Sequence, residues 1–136
     1  MKAAATFTPK KWEEKTCEEV SSRTKLTRTL AEYQYSGELQ GEGAVEYVMF
    51  YSSFDEHDPH RATAEYIGLI RFRGTLNGKT GSFVFEDRGA FEAVTAKSSL
   101  RILAGSGTEQ LAGISGAGSS VATPESCHIE LEYGLP

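Results

Sequence analysis

Along most of this chain apolar and polar residues alternate with a period of two. Near the C-terminus Cys127, Ile129, Leu131 and Tyr133 interleave with His128, Glu130 and Glu132, the pattern of a strand with one buried and one wet face. Residues 25–36, 44–52, 62–73 and 82–92 repeat that period in longer runs rich in Thr, Val, Ile, Tyr and Phe, separated by glycine-bearing turns. Asn77-Gly78 between two of these runs is a hairpin signal. Ala3, Ala5 and Phe7, the segment from Cys17 to Ser22, and the run from Thr95 to Leu103 supply further strands, about eight or nine in all. No window of about a dozen residues holds a capped 3.6-residue stripe, so helix is a minor component.

Strands at this spacing build either a sandwich or a barrel. Residues 44–51 bear on the choice: one face carries Val45, Tyr47, Met49 and Tyr51, the other Ala44, Glu46, Val48 and Phe50. Neither face is made for water. Such a strand is covered once by a lumen and again by a loop, a helix or another subunit. The pattern therefore predicts an all-β fold, a small closed antiparallel β-barrel of about eight strands, and a homo-oligomer that covers its outside. Residues 1–136 read as a single domain without linker or repeat; the glycine-rich stretch 105–120 suits tight turns and close backbone packing.

Composition narrows the partners. The net charge is -5 with Lys and Arg scattered, so no basic stripe is available to a phosphate backbone, and no nucleic acid is expected. The first residues lack the apolar run of a signal peptide, and no stretch is long and apolar enough for a membrane span; a soluble, cytoplasmic protein with no membrane partner is the expectation. Cys17 and Cys127 stand far apart and outside any CxxC spacing, which fits reduced thiols.

Candidate chemistry centres on Glu46, a carboxylate between apolar neighbours. Buried without a partner it would have a raised pKa and suit proton transfer; paired with Arg71, Arg73 or Arg88 it would be structural. Tyr33, Tyr35, Tyr47, Tyr51, Tyr66 and Trp12 either line a lumen and bind a ligand or make ordinary core contacts. Glu86 and Arg88 share one face of residues 82–91 with Phe83, Phe85 and Phe91 on the other, and read as a rim pair. Asp55, Glu56, His57, Asp58 and His60 match no zinc spacing and read as a hydrophilic loop, so no metal is expected. His128 lies on the polar face of its strand. GxSxG, GxxxxGK[ST] and GxGxxG are all absent, which removes hydrolase and phosphate-cradle readings and implies no cofactor.

The ordered set Lys25-Leu26-Thr27-Arg28, Gly41 to Tyr47, Gly81-Ser82-Phe83-Val84, Gly89-Ala90-Phe91, Ala96 to Leu103, Gly105-Ser106-Gly107-Thr108, Leu111-Ala112-Gly113 and Gly116 resembles the bacterial DUF3224 family over nearly the whole chain. That family in turn resembles the allene oxide cyclase-like barrels, eight antiparallel strands around a lumen that can hold an apolar guest. The resemblance implies the fold first and function only by analogy. Its leading implication is a pocket protein that binds a small, largely apolar metabolite and steers it through cyclisation or isomerisation without a cofactor. A carrier or sensor with the same pocket, and a structural protein whose barrel is filled by its own side chains, stand beside it.

Overall fold

The computed structural model describes residues 1–58 and 61–136. The alternation folds into eight strands: β1 (Lys2–Glu19), β2 (Lys25–Gly37), β3 (Leu39–Ser53), β4 (Thr63–Leu76), β5 (Lys79–Glu92), β6 (Thr95–Ile102), β7 (Ser115–Ala122) and β8 (Cys127–Gly134). Each pairs antiparallel with the next, and β1 returns to β8, so the sheet closes into the expected barrel. None of the described helices is long and apolar enough to cross a membrane.

Two elements differ from the sequence reading. The N-terminal alternation and the segment after Cys17 belong largely to one strand, β1, whose ladder with β2 slips between Pro9 and Lys11 and again between Thr16 and Glu18. Proline has no N–H to give the ladder, and a bulge absorbs the mismatch. The end of the glycine-rich stretch, read as turns, is strand β7. Weak intrinsic preference is overridden there because β6 and β8 offer a ladder on both sides.

The two ends of the barrel are built differently. At one end the inward residues Tyr35, Phe72, Phe83 and Leu76 are fully buried, and Leu111, from the 3-10 turn Glu109–Leu111, plugs the bottom. Thr108 ties that turn to β5, its N–H donating to the Ser82 carbonyl at 2.9 Å. At the other end β8 pairs with β1 only from Lys2 to Thr6, so beyond Thr6 one edge of β1 runs free and the wall opens.

Outside, residues 44–51 show why their two faces looked alike. Leu30, Val48, Ile67 and Leu69 are apolar but exposed on the outer surface of β2, β3 and β4, and in the ladder Glu46 lies between Leu30 and Leu69. This outer apolar face is the feature behind the expectation of a homo-oligomer.

At the open end a two-residue turn joins β5 to β6 through Ala93 (φ 51°) and Val94 (φ 54°), both left-handed. That turn type favours Asn-Gly, and a β-branched residue in this region is strained by about 1–3 kcal/mol. The double variant Ala93→Asn, Val94→Gly is expected to raise the free energy of unfolding by about 1 kcal/mol in urea titration. An unchanged or lower midpoint would mean that contacts of the Val94 side chain outweigh the strain.

Candidate functional site: an aromatic lumen with a buried acid

On β5 the inward positions run Phe83, Phe85 and then Asp87, where the same parity delivers a carboxylate instead of a ring. Its ladder partners are Gly68 on β4 and Leu100 on β6, and only 5% of it is exposed. Tyr47 Oη donates to Asp87 Oδ2 at 2.6 Å, and Tyr33 Oη stands 3.1 Å from Tyr47 Oη. Because the Tyr47 proton is directed at the acid, the Tyr33 hydroxyl is left to donate to Tyr47. Across the lumen Tyr66 Oη and Ser98 Oγ share a 2.6 Å hydrogen bond.

Burial raises the Asp87 pKa, and the nearby hydroxyls of Ser98 and Tyr47 oppose that rise. The short bond of Ser98 is to Tyr66, and Asp87 Oδ1 has no hydrogen-bond partner within the geometric limits among the described residues. The phenols are pushed the same way. Burial raises Tyr33, Tyr35 and Tyr47 well above the ordinary value, and Tyr66 is pushed up to about 12. All four therefore stay protonated near neutral pH, which keeps a proton on the Tyr47 hydroxyl for its bond to Asp87.

Glycines make room for these rings. A Cβ on Gly68 would lie 2.5 Å from the Glu46 carbonyl and 2.6 Å from Tyr47 Cδ1, and one on Gly89 would meet the Lys97 carbonyl and lie 2.6 Å from Tyr66 Oη, so a larger residue at either site would collide with the adjacent strand's backbone as well as with a tyrosine.

Above this polar layer is a cavity of about 410 Å³. Tyr33, Tyr35, Tyr47 and Tyr66, expected as ligand-binding residues, all line it, and so does Tyr51. Trp12 lines it from the mouth, half-exposed, with its ring centroid 6.2 Å from that of Tyr47. Glu14 steadies this rim: its Oε2 accepts hydrogen bonds from Tyr51 Oη at 2.6 Å and Thr27 Oγ1 at 2.8 Å. Pro9, Val94, Thr123 and Pro124 complete the opening.

Glu46, the expected catalytic carboxylate, is not part of this arrangement. Its side chain is exposed on the outer face, because Val45 and Tyr47 on either side of it take the inward positions. The carboxylate that faces the lumen is Asp87, and the sequence carries its signal: it shares the face of Phe83 and Phe85. Glu86 pairs with Arg101 at 3.0 Å across the β5–β6 ladder rather than with Arg88. In the hydrophilic loop the His57 amide donates to Asp55 Oδ1 at 2.9 Å, while Pro59 and His60 lie outside the described residues. His128 is exposed.

The fold and site define a class: an eight-stranded antiparallel barrel, plugged at one end, with an aromatic lumen that holds one buried acid. The family model described as "Protein of unknown function (DUF3224)" matches residues 3–133, and the chain belongs to that family. Its fold is similar to the crystal structure of a protein of unknown function from the DUF3224 family of Shewanella oneidensis MR-1. The TM-score is 0.75 at 18% sequence identity, over 100% of this chain and 98% of that one. No curated protein matches the sequence.

The buried acid sets a pH dependence. A carboxyl whose folded pKa stands above its unfolded value, near 3.9, destabilises the fold progressively as pH rises from the unfolded value through the folded one, and by a constant amount beyond. Asp87→Asn keeps an acceptor for Tyr47 and removes the charge. Thermal melts are expected to show the variant more stable than the parent at about pH 8, with the gap closing towards about pH 4. A variant less stable at pH 8 would show that the tyrosine network needs the carboxylate itself.

Proposed function

We propose that the chain binds a small, largely apolar molecule in its lumen, one per barrel. The observation that carries this reading is the aromatic cavity of about 410 Å³ at one end of a barrel whose other end is packed solid. A barrel of this strand number holds about one small ligand, and sites of this kind are apolar walls with a few placed polar groups. A structural protein filled by its own side chains has no use for such a hollow. The resemblance of the family to allene oxide cyclase-like barrels, drawn from the sequence, supports the reading by analogy alone.

A catalytic form of the same reading is favoured by one feature, the buried Asp87 carboxyl with a phenol donor beside it. An isomerase or cyclase that works without cofactor would use this acid, rather than Glu46, to move a proton on a guest held against the rings.

Titration with the neutral, environment-sensitive dye Prodan tests binding. The expected result is saturable blue-shifted emission at one site per chain. It should be lost in Ala122→Trp, which fills the lumen from β7 and should retain the strand-type circular dichroism spectrum. Dye that binds only on partial unfolding, or equally well to the filled variant, would overturn the reading.

A further inference from the structure

We propose that the guest of the lumen is an organic ammonium ion, an apolar amine whose N–H donates to Asp87 Oδ1 while its body lies against the tyrosine and tryptophan rings. The proposal deepens the lumen-binding reading and rests on it. Three independent observations point to a cation. Asp87 is almost wholly buried and faces the cavity, and its Oδ1 is unpartnered even though Tyr47 serves Oδ2. A buried acceptor left open in this way is satisfied by whatever enters.

The second observation is the charge of the wall. Among the described residues that line the cavity there is no Lys, Arg or His, and Asp87 is the only carboxylate. A carboxylate or phosphate guest would bring a second negative charge into a site that has nothing to neutralise the first. An alcohol would satisfy Oδ1 and leave the buried charge as it stands. An ammonium ion does both tasks at once, as an ion pair whose hydrogen bond is charge-assisted.

The third is the wall's chemistry. Tyr33, Tyr47, Tyr66 and Trp12 surround the approach to the acid with aromatic rings. Ring faces attract cations, and more strongly where water is excluded. The molecule already uses that attraction just outside the lumen, where Lys25 Nζ lies 4.9 Å from the Tyr51 ring centroid and 4.4 Å from that of Phe54.

Matched guests separate this inference from the reading beneath it. Isothermal titration of the intact chain near neutral pH with naphthylmethylamine, naphthylmethanol and naphthoate varies the charge at constant apolar body. The amine is expected to bind at least about ten-fold more tightly than the alcohol, the scale of one charge-assisted hydrogen bond, with naphthoate weakest. In Asp87→Asn the amine should lose at least about ten-fold and fall to the level of the alcohol or below it, the alcohol should change by less, and a retained strand-type circular dichroism spectrum reports that the variant has folded. Equal affinity of amine and alcohol, or tightest binding of naphthoate, would overturn the ammonium assignment and leave lumen binding intact. Binding of none of the three would sink both. Should Asp87→Asn fail to fold, the order of the three affinities in the parent protein decides alone.

Discussion

The short ladder in which Lys2 to Thr6 pair with His128 to Glu132 turns a sheet into a vessel. Closure removes the sheet edges and gives every inward residue a common enclosed space. The Met1 ammonium fastens the same seam by donating to the Tyr133 carbonyl at 2.8 Å. Because the seam stops at Thr6 while β1 continues to Glu19, closure also creates the opening. The unpaired edge that remains is guarded by Pro9 and by the exposed charges of Lys10, Lys11, Glu13 and Lys15, which disfavour pairing with another strand.

Inside, one alternation yields two environments. Towards the plugged end successive rings meet at short range: Tyr35 with Phe72 at 5.7 Å, Phe72 with Phe83 at 5.2 Å, and Phe83 with Phe85 at 5.8 Å between centroids. Large side chains on β2 to β6 and β8, with Leu111 from the 3-10 turn, fill that space. One step further along β5 the ring is replaced by Asp87, and opposite it Tyr33 and Tyr47 turn their hydroxyls inward. This polar layer lies towards the floor of the hollow, where Tyr35, Ile70 and Phe85 also border it. Beyond it the facing positions include Ser98, Ala96, Ser120 and Ala122, too small to fill the width of the barrel. The lumen is therefore a consequence of side-chain volume on β6 and β7, set against aromatic residues on β2, β3 and β4.

Parity made much of this legible. Tyr33, Tyr35, Tyr47 and Tyr66 lie in phase with buried neighbours on strands whose period is plain, and they line the cavity. Glu46 misled because β3 is apolar on both faces, so period alone could not assign inside from outside, and a one-residue slip reverses the answer. Asp87 is hard to see in the sequence for the opposite reason. Glu86 and Arg88 on either side of it give the segment the look of a charged rim, although its phase with Phe83 and Phe85 places it inward. β7 escaped because glycine and serine carry little strand preference, and only its two neighbouring strands define it.

Asp87 is an acid held in an apolar lumen, and one of its oxygens has no hydrogen-bond partner among the described residues. Its side-chain carboxyl can be followed by carbon-13 NMR through a pH titration, with the resonance assigned by its disappearance in Asp87→Asn. The account predicts a titration midpoint clearly above the ordinary aspartate value near 3.9 in the unliganded protein. A midpoint at or below that value would show a solvated or compensated carboxylate and would contradict the picture of an open acceptor buried in the lumen.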